Sequence, residues 1–364
     1  MKILTILGAR PQFIKAACLQ RVFQNYPNIQ EIIAHTNQHY DHAMDAVFFQ
    51  ELKLKAPTIK LTQPIKHHST SQNSRKARFA MLAHIYQGLQ PIIVASKPDA
   101  ILIYGDTNST LAGALAGFHA TIPLIHIEAG VRSKNLQMPE ECNRIATDKL
   151  STLLFCPSVR ACENLKNESL LPQSQIYDCG DIMQDNALYY APYAKAPQLP
   201  LQANFILASI HRANNTDDPQ RLQAIFEALN TIAKHTQVLC PLHPRTEQAL
   251  KHQGLKFPHI CFTPPLSYLE TLYLLQRTQA VFTDSGGLQK EAYFFAKPCF
   301  VLRDESEWEE LLEHRCAYLV GAQKEKIIES FGNMPYLFAK SPPPHLYGNG
   351  QAGDKIVKKI LEVL

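Results

Sequence analysis

Short runs of apolar residues alternate along the chain with longer segments in which apolar residues recur every three or four positions. The short runs predict buried β-strands and the longer segments predict helices with one apolar face. A first series of strands is predicted at residues 3–7, 32–36, 100–104, 123–127 and 153–157, with helices at 13–23, 45–52 and 109–118. A second series has strands at 205–210, 238–241, 280–283 and 299–302, and helices at 219–233, 246–252, 269–275, 288–295 and 308–314. A last helix is predicted at 354–364.

Regular alternation of strands and helices is typical of parallel sheets that are covered by helices on both faces. The chain has 364 residues, which is too long for one ordinary hydrophobic core. Two series of alternating elements therefore predict an α/β protein with two domains, each built on its own sheet.

Charge and composition narrow the possible partners. The formal net charge is only +4, and no long run of basic residues occurs, so nucleic acid is not an expected partner. No stretch reaches about 18 consecutive apolar residues and the N-terminus lacks the features of a signal peptide, so no membrane segment is predicted. The nine cysteines are scattered and odd in number, which favours reduced thiols in the cytoplasm.

Ligands of open α/β sheets bind beyond the carboxyl ends of the strands, so the residues that follow each strand are the informative ones. The first strand is followed by Gly8, Arg10 and Pro11, with Lys15 one turn later. A glycine turn that leads into a helix start, with two basic residues beside it, is typical of an anion site. An ordinary strand-to-helix turn with surface bases explains the same residues equally well.

Carboxylates follow the next strands of this series. Asp106 comes after the strand at 100–104, Glu128 follows the strand at 123–127, and Glu140 lies a short distance further on with Arg144 behind it. Asp106 could simply cap a helix and Glu140 could interact with a helix dipole. If the three carboxylates converge on one site, crowding and partial burial would separate their pKa values, as acid–base chemistry requires.

The second series offers an anion site. Basic residues end two of its strands, and a Ser-Gly-Gly turn ends a third and opens a helix, where backbone N–H groups can bind a diphosphate. Glu291, one turn into that helix, could accept hydrogen bonds from a ribose diol. The other candidate residues of this site are His211, His243, Ser285, Gly286 and Gly287.

Several cofactor motifs are absent from the sequence. Neither G-x-G-x-x-G nor G-x-x-x-x-G-K-[ST] occurs, so NAD and P-loop ATP hydrolysis are not indicated. H-E-x-x-H, cysteine clusters and G-x-S-x-G are absent as well, so neither a metal site nor a serine hydrolase is predicted. We expect no added cofactor.

Taken together, the motifs resemble those of the non-hydrolysing UDP-N-acetylglucosamine 2-epimerase family. They occur in the family's order and span residues 8 to about 303. The matching segments are GARPQFIK, QHYD, YGDTNSTLAGALAGF, HIEAGVRS, MPEECNR, SIHRANN, PLHPR and TDSGGLQKEA.

The resemblance implies a GT-B fold, in which two Rossmann-like domains face each other across a cleft. It places residues 1–175 and the last helix, 354–364, in the first domain, and residues 176–345 in a second domain that holds most of the UDP. It also implies a homodimer and a role in capsule or lipopolysaccharide biosynthesis. The implied reaction inverts C2 of a UDP-linked N-acetylated hexosamine, by elimination of UDP to a 2-acetamidoglucal and re-addition.

The family's functional residues match positions of this chain. The resemblance implies that Asp106, Glu128 and Glu140 are catalytic carboxylates and that His211 is the active-site histidine. It assigns Arg10, Lys15, Arg144, His243, Ser285, Gly286, Gly287 and Glu291 to binding of the UDP-sugar. In bacterial members a second UDP-sugar activates the enzyme, and Gln38 and His39 match part of that site.

Some segments depart from the commoner family pattern. GARPQF replaces G-[TS]-R-P-E, the helix after SGG reads QKEAYFF, and LRDESEW stands where many members have a Thr-Glu-Arg-Pro run. These features resemble the branch that acts on UDP-2,3-diacetamido-2,3-dideoxy-glucuronate, and the substituents at C3 and C6 of the sugar stay open. A GT-B glycosyltransferase, a hydrolysing epimerase and a non-catalytic nucleotide-sugar sensor are the alternative functions.

Overall fold

The computed structural model describes residues 1–38, 49–62, 75–338 and 345–364. The chain forms two compact units, which are Met1–Asn186 with His345–Leu364, and Ala187–Pro344. In the described part of the chain, every helix is too short or too polar to cross a membrane.

The first unit is built on a parallel sheet of seven strands in the order β3-β2-β1-β4-β5-β6-β7. Its central strands are fully buried, as expected for a sheet that helices cover on both faces. The order reverses direction between β1 and β4, so the carboxyl ends of these two strands border the crevice in which such sheets bind ligands. The strands are β1 (Lys2–Leu7), β2 (Gln30–His35), β3 (Ile59–Lys60), β4 (Ala100–Tyr104), β5 (Leu124–Ile127), β6 (Leu153–Cys156) and β7 (Gln175–Asp178).

Helices follow the strands of the first unit, and one further helix returns from the end of the chain. The apolar pattern does not predict α2, because its buried residues all lie between Ile85 and Ile93 and Pro91 interrupts the helix. The helices are α1 (Arg10–Phe23), α2 (Arg75–Ser96), α3 (Asn108–His119), α4 (Pro139–Leu150), α5 (Val159–Lys166), α6 (Ile182–Tyr190) and, at the end of the chain, α15 (Ala352–Val363).

The contacts divide the chain after Asn186, which is later than the boundary between residues 175 and 176 in the sequence-based division. The cause is the start of α6, which binds to the first unit. Asp185 accepts hydrogen bonds from the backbone N–H groups of Ala352 (3.1 Å) and Gly353 (2.8 Å) at the start of α15. Asn186 accepts a hydrogen bond from Arg21 of α1 at 2.8 Å.

The second unit contains a parallel sheet of six strands in the order β10-β9-β8-β11-β12-β13. Its order reverses between β8 and β11, so the two turns that follow these strands are neighbours. Two parallel sheets in one chain confirm the predicted α/β class. The strands are β8 (Phe205–Ser209), β9 (Gln237–Pro241), β10 (Cys261–Thr263), β11 (Ala280–Thr283), β12 (Cys299–Val301) and β13 (Ala317–Leu319).

The helices of the second unit pack on both faces of this sheet, with stacked aromatic rings such as Phe282 and Phe300 (4.5 Å between centroids) in the core. All predicted strands of both units are present. Residues 45–48 of the helix predicted at 45–52 lie outside the described residues, and the other predicted helices are present with ends that differ by three residues at most. The remaining helices are α7 (Ala213–Thr216), α8 (Pro219–Ile232), α9 (Pro244–His252), α10 (Tyr268–Arg277), α11 (Gly286–Phe294), α12 (Glu309–Glu313), α13 (Lys324–Gly332) and α14 (Met334–Leu337).

Candidate functional site

The turn between β1 and α1 is tied to the turn after β4 by one buried side chain. Gln12 accepts a hydrogen bond from the backbone N–H of Gly8 at 2.9 Å, and its amide group donates to the carbonyl of Tyr104 (3.2 Å) and the hydroxyl of Thr110 (3.1 Å). A side chain at Gly8 would overlap the hydroxyl of Thr36, so glycine is required by the close approach of these segments. Sequence reasoning did not single out Gln12.

Lys15 and Glu128 form an ion pair at the switch point of the first sheet, with 2.5 Å between Lys15 Nζ and Glu128 Oε1. Both side chains are almost fully buried. Glu128 has φ = +71°, a left-handed conformation that costs a non-glycine residue energy and that is enriched at functional sites. A Cβ at Gly105 would lie 3.0 Å from Lys15 Nζ and 3.4 Å from Glu128 Oε1, so the turn after β4 packs against this pair.

Asp106 is held by Arg144, with 2.5 Å between Asp106 Oδ2 and Arg144 Nη2. Arg144 also binds Glu141 at 2.9 Å and is only 5% exposed. Glu141 in turn accepts the backbone N–H groups of Ser133 and Lys134, both at 2.9 Å, which fixes the loop before α4. Of the two adjacent glutamates, Glu141 therefore has a structural role.

Two further predicted residues of the first unit lie at helix starts. Glu140 is partly buried in the first turn of α4, and Arg10 is partly buried at the first position of α1. Gln38 accepts hydrogen bonds from the backbone N–H (2.9 Å) and the hydroxyl (2.7 Å) of Ser109 at the start of α3. His39, the other predicted activator-site residue, lies outside the described residues.

A second group of charged residues lies beneath the ends of β4 and β5. It was not predicted from the sequence. His126 of β5 and Asp148 of α4 are both fully buried, and His126 Nδ1 lies 2.7 Å from Asp148 Oδ1. Asp148 also binds Arg132 at 2.7 Å. Burial raises the pKa of Asp148, but the hydrogen bond and charge of His126 and the charge of Arg132 outweigh that effect and keep the pKa below its ordinary value.

In the second unit, one buried carboxylate organises the turn after β8. Asp284 is fully buried and accepts hydrogen bonds from the backbone N–H groups of His211 and Arg212, at 3.0 Å each, and from the side chain of Asn215 at 3.0 Å. The His211 ring lies close to the same carboxylate, with 3.6 Å between Nδ1 and Oδ1. Asp284 thus fixes the backbone that carries His211, and sequence reasoning did not identify it.

His243 caps the next helix start. Its Nδ1 accepts the backbone N–H of Arg245 at 3.2 Å, so Nδ1 carries no hydrogen in this geometry. The ring centroid of His243 lies 5.5 Å from that of His211, which brings together the two predicted histidines of this unit.

The Ser-Gly-Gly turn opens α11 as predicted. Ser285 is its N-cap residue, and its hydroxyl accepts the backbone N–H of Leu288 at 3.5 Å. A side chain at Gly286 would overlap the carboxylate of Glu307, whereas a Cβ at Gly287 would have no atom within 4 Å. Glu291, one turn into the helix, is 6% exposed.

Two of the three segments that depart from the commoner family pattern, QKEAYFF and LRDESEW, contact each other beside this turn. Trp308 donates its indole N–H to the carbonyl of Gly286 at 3.0 Å, and Lys290 Nζ lies 4.0 Å from the centre of its ring. Gln289 accepts the hydroxyl of Ser306 at 2.7 Å. The QKEAYFF helix and the LRDESEW loop therefore form one packed group of residues.

Arg303 of the same loop is a further candidate that sequence reasoning missed. Its Nη1 binds Glu307 at 2.7 Å, and its Nη2 is buried without a hydrogen-bond partner in the part of the chain that the structure describes. Leaving a buried charged donor unsatisfied costs free energy, which an anionic ligand would offset.

The two units differ in what they can do chemically. The first brings carboxylates and basic residues together in buried pairs, which suits transfer of a proton. The second presents histidines, backbone N–H groups at a helix start and a guanidinium donor, which suits binding of a diphosphate.

Comparison with known proteins identifies the family to which the chain is similar. Residues 21–361 match the family model described as UDP-N-acetylglucosamine 2-epimerase. The chain is 45% identical, over the full length of both chains, to a UDP-2,3-diacetamido-2,3-dideoxy-D-glucuronate 2-epimerase from Pseudomonas aeruginosa. It is 29% identical to a UDP-N-acetylglucosamine 2-epimerase from Escherichia coli K12, with 99% of this chain and 98% of the relative covered.

Solved structures of such enzymes have the same fold. A UDP-GlcNAc 2-epimerase from Methanocaldococcus jannaschii, in complex with UDP-GlcNAc and UDP, matches with a TM-score of 0.89, 33% identity and complete coverage of both chains. The enzyme from Neisseria meningitidis bound to UDP-GlcNAc matches with a TM-score of 0.87, 29% identity and complete coverage. The predicted GT-B class is thereby confirmed. The sequence match, the two parallel sheets and the full-length likeness to epimerases show that this chain belongs to the UDP-N-acetylglucosamine 2-epimerase family of isomerases.

Proposed function

We propose that this chain inverts the configuration at C2 of a UDP-linked N-acetylated hexosamine. Membership of the family supports this activity, as do the relatives whose structures hold UDP-GlcNAc. The single observation that carries the proposal is Glu128, which has a left-handed conformation and pairs with Lys15 beside the turn that carries Asp106.

The reaction consists of two proton transfers and the departure and return of the nucleotide. The C1–O bond breaks and UDP leaves with the bonding electrons, while a carboxylate takes the proton from C2. The electrons of the C2–H bond form the double bond of a 2-acetamidoglucal. UDP then adds back to C1 as a proton is delivered to C2 from the opposite face. No electrons are gained or lost overall, so this scheme needs no redox cofactor.

In this proposal the first unit supplies the acid–base groups, which are Asp106, Glu128 and Glu140. Basic partners keep the first two carboxylates in place: Lys15 pairs with Glu128, and Arg144 pairs with Asp106. A carboxylate that is positioned within hydrogen-bond reach of a reacting C–H can contribute about 10²–10⁴-fold to the rate.

The second unit stabilises the departing diphosphate. His211 and the start of α11 supply the donors, together with Arg10 from the first unit. Asp284 supports this assignment, because it fixes the backbone of His211. The unsatisfied Nη2 of Arg303 and the open space at Gly287 support it as well. We assign His243, Ser285, Gly286 and Glu291 to the same nucleotide site.

For the sugar, we propose UDP-2,3-diacetamido-2,3-dideoxy-glucuronate ahead of UDP-GlcNAc. The Pseudomonas aeruginosa relative that carries the former name is 45% identical, compared with 29% for the Escherichia coli relative named for the latter. The contacts of Trp308 with Gly286 and Lys290 support the same choice, because they join two of the three segments that resemble the branch acting on this sugar.

Incubation of the pure protein in D₂O with UDP-GlcNAc, UDP-ManNAc and the diacetamido-uronate, followed by NMR, tests the proposal. We expect deuterium at C2 and inversion, with the highest rate for the uronate and without free sugar. Free sugar at turnover rates would indicate a hydrolysing epimerase, and transfer only to an added acceptor would indicate a glycosyltransferase. Binding without exchange in any UDP-sugar would indicate a sensor.

We also propose that the enzyme is a cytoplasmic homodimer that supplies a sugar for capsule or lipopolysaccharide biosynthesis, as the family resemblance implies. Light scattering of the purified full chain tests the dimer, and a monomer mass at working concentration would contradict it. Activation by a second UDP-sugar, with Gln38 as a contact, is part of the same proposal. A rate that rises more steeply than hyperbolically with substrate concentration would support it.

A further inference from the structure

The buried charge network beneath the ends of β4 and β5 has a specific protonation state. His126 Nδ1 lies 2.7 Å from Asp148 Oδ1, and His126 Nε2 lies 2.8 Å from the carbonyl oxygen of Gly105. A carbonyl oxygen can only accept a hydrogen bond, and so can an ionised carboxylate. Both ring nitrogens must therefore donate, which makes His126 an imidazolium.

The positive and negative charges of the network are equal in number. Asp148 accepts from Arg132 at 2.7 Å and from the backbone N–H of Gly130 at 3.1 Å. Arg132 also donates to both carboxylate oxygens of Glu168, at 2.7 and 2.9 Å. Two cations and two carboxylates thus form a neutral group in which every charge has an oppositely charged partner and only Glu168 is partly exposed, and pairing is the condition under which buried charges persist.

The ends of this network are backbone groups on either side of the proposed acid–base residues. Gly105 (φ +63°) directly precedes Asp106, and Gly130 (φ +78°) follows Glu128 (φ +71°) by two residues. A left-handed non-glycine residue persists only where its surroundings over-determine it. His126 holds the carbonyl of Gly105, and Asp148 holds the N–H of Gly130, so the network fixes the backbone on both sides.

We propose that His126 is a positioning residue for the epimerisation: as a buried imidazolium held by Asp148, it sets the backbone of Gly105 and thereby the placement of Glu128 and Asp106. The Gly105 backbone packs against the Lys15–Glu128 pair, so a shift of this turn moves the carboxylate. His126 is not a catalytic residue, since its ring is fully buried and both nitrogens are engaged. The inference rests on the proposed function of Glu128 and Asp106.

The protonation state is tested on the wild-type full chain by NMR with ¹⁵N-labelled histidine, the His126 signals being assigned from their loss in His126→Asn. We expect both ring nitrogens of His126 to appear as protonated N–H nitrogens at pH 7 and to exchange slowly with solvent. A signal of an unprotonated ring nitrogen would overturn the proposal.

The positioning role is tested by the kinetics of His126→Asn and Asp148→Asn. We expect kcat to fall about 100-fold in each, because displacement of a catalytic group by about 1 Å has an effect of this size. KM and the affinity for UDP should stay within about twofold, which a general loss of folding would not allow. The matched control is His252→Asn, an exposed histidine at the end of α9, which should keep the wild-type kcat.

Three outcomes separate the possibilities. If His126→Asn and Asp148→Asn keep the wild-type kcat, the positioning role is wrong although the proposed function stands. If the wild-type protein exchanges deuterium in no UDP-sugar, the proposed function fails, and the positioning role fails with it even where NMR shows an imidazolium. If the two variants do not fold, Arg132→Lys decides, because it weakens the contacts of Arg132 with Asp148 and Glu168 and leaves His126 and Asp148 themselves in place. A loss of about tenfold in kcat supports the role, and an unchanged kcat contradicts it.

Discussion

The two units place their functional groups in different ways. In the first unit, basic side chains hold two of the proposed acid–base carboxylates: Lys15 pairs with Glu128 and Arg144 pairs with Asp106. In the second unit, one side chain binds the backbone: Asp284 accepts hydrogen bonds from the backbone N–H groups of the turn after β8. Lys15, Arg144 and Asp284 are buried, and each arrangement lies at the point where the strand order of its sheet reverses.

The difference follows from the task that we propose for each unit. Proton transfer needs ionisable side chains whose pKa values the surroundings can adjust, so they must be held by other charges. Diphosphate binding needs hydrogen-bond donors that converge on one position. The backbone N–H groups at a helix start are already fixed there before the ligand binds. Substitutions in the first unit should therefore affect kcat, and those in the second should affect affinity for UDP.

The largest expected effect comes from Glu128→Gln, which removes the carboxylate of a proposed acid–base residue but keeps the shape of the side chain. We expect the rate of deuterium exchange at C2 to fall about 10³-fold, since acid–base groups contribute on this scale. The affinity for UDP, measured by calorimetry, should stay within about twofold. Unchanged exchange would remove Glu128 from the mechanism.

The control for this variant is Glu163→Gln, an exposed glutamate on α5 of the same unit. It should keep the wild-type rate and affinity. If both glutamine variants lowered kcat alike, the comparison between a functional carboxylate and a surface carboxylate would fail.

The next effect concerns stability and its dependence on pH. The pKa of Asp148 lies below its ordinary value of 3.8, so its contribution to stability is complete above that pH and is lost as pH falls through the lower folded value. We expect Asp148→Asn to lower the free energy of unfolding by about 3 kcal/mol at pH 7, because it breaks a buried pair. In urea unfolding followed by circular dichroism, this difference should shrink below pH 3.8. A constant difference down to acid pH would contradict the assignment.

A smaller loss is expected from Asp284→Asn in the second unit. An asparagine cannot accept from all three donors that surround Asp284, so we expect a loss of about 2 kcal/mol. Trp308 is the single tryptophan of the chain and is buried in this unit, so its fluorescence follows the unfolding of this part.

The control is Asp218→Asn, in which an N-cap residue of α8 is replaced by an equally good cap. It should change the free energy of unfolding by less than about 0.5 kcal/mol. Equal losses in Asp284→Asn and Asp218→Asn would show that the buried carboxylate has no special role in the second unit.

The apolar pattern predicted the central strands of both sheets and missed the edges. The four strands absent from the prediction are the outer strands of the two sheets, β3, β7, β10 and β13. A central parallel strand is buried on both faces and reads as a continuous apolar run, whereas β3 has two residues and β7 has polar ends. Short or half-polar edge strands leave no such signal.

For the candidate site, the residues that follow the strands were predicted from the sequence, but their hydrogen-bond partners were not. Glu128 was predicted from its place after a strand, yet its partner Lys15 is 113 residues away, and no local pattern shows that pairing. His126 lies inside an apolar strand, which is typical of a core residue, so its charge emerged only from the positions of Asp148 and the Gly105 carbonyl. Long-range ion pairs depend on the packing of several elements at once, which is why the pattern alone does not predict them.

The smallest effects are expected from substitutions of the two adjacent glycines in the turn that opens α11. These substitutions are also the most sensitive test of the comparison between the two units. Gly286→Ala should weaken UDP binding about tenfold, because the new methyl group displaces the carboxylate of Glu307. Gly332→Ala in α13, where a Cβ has no atom within 4 Å, is the control for the general effect of alanine in a helix and should leave affinity unchanged.

Gly287→Ala separates packing from binding, since the protein leaves room for its methyl group. If the backbone at Gly287 approaches the diphosphate, this variant keeps its unfolding transition by Trp308 fluorescence and still loses affinity for UDP. If it retains full affinity, the nucleotide does not approach this turn, and the contrast between a unit that acts through side chains and one that acts through backbone would have to be abandoned.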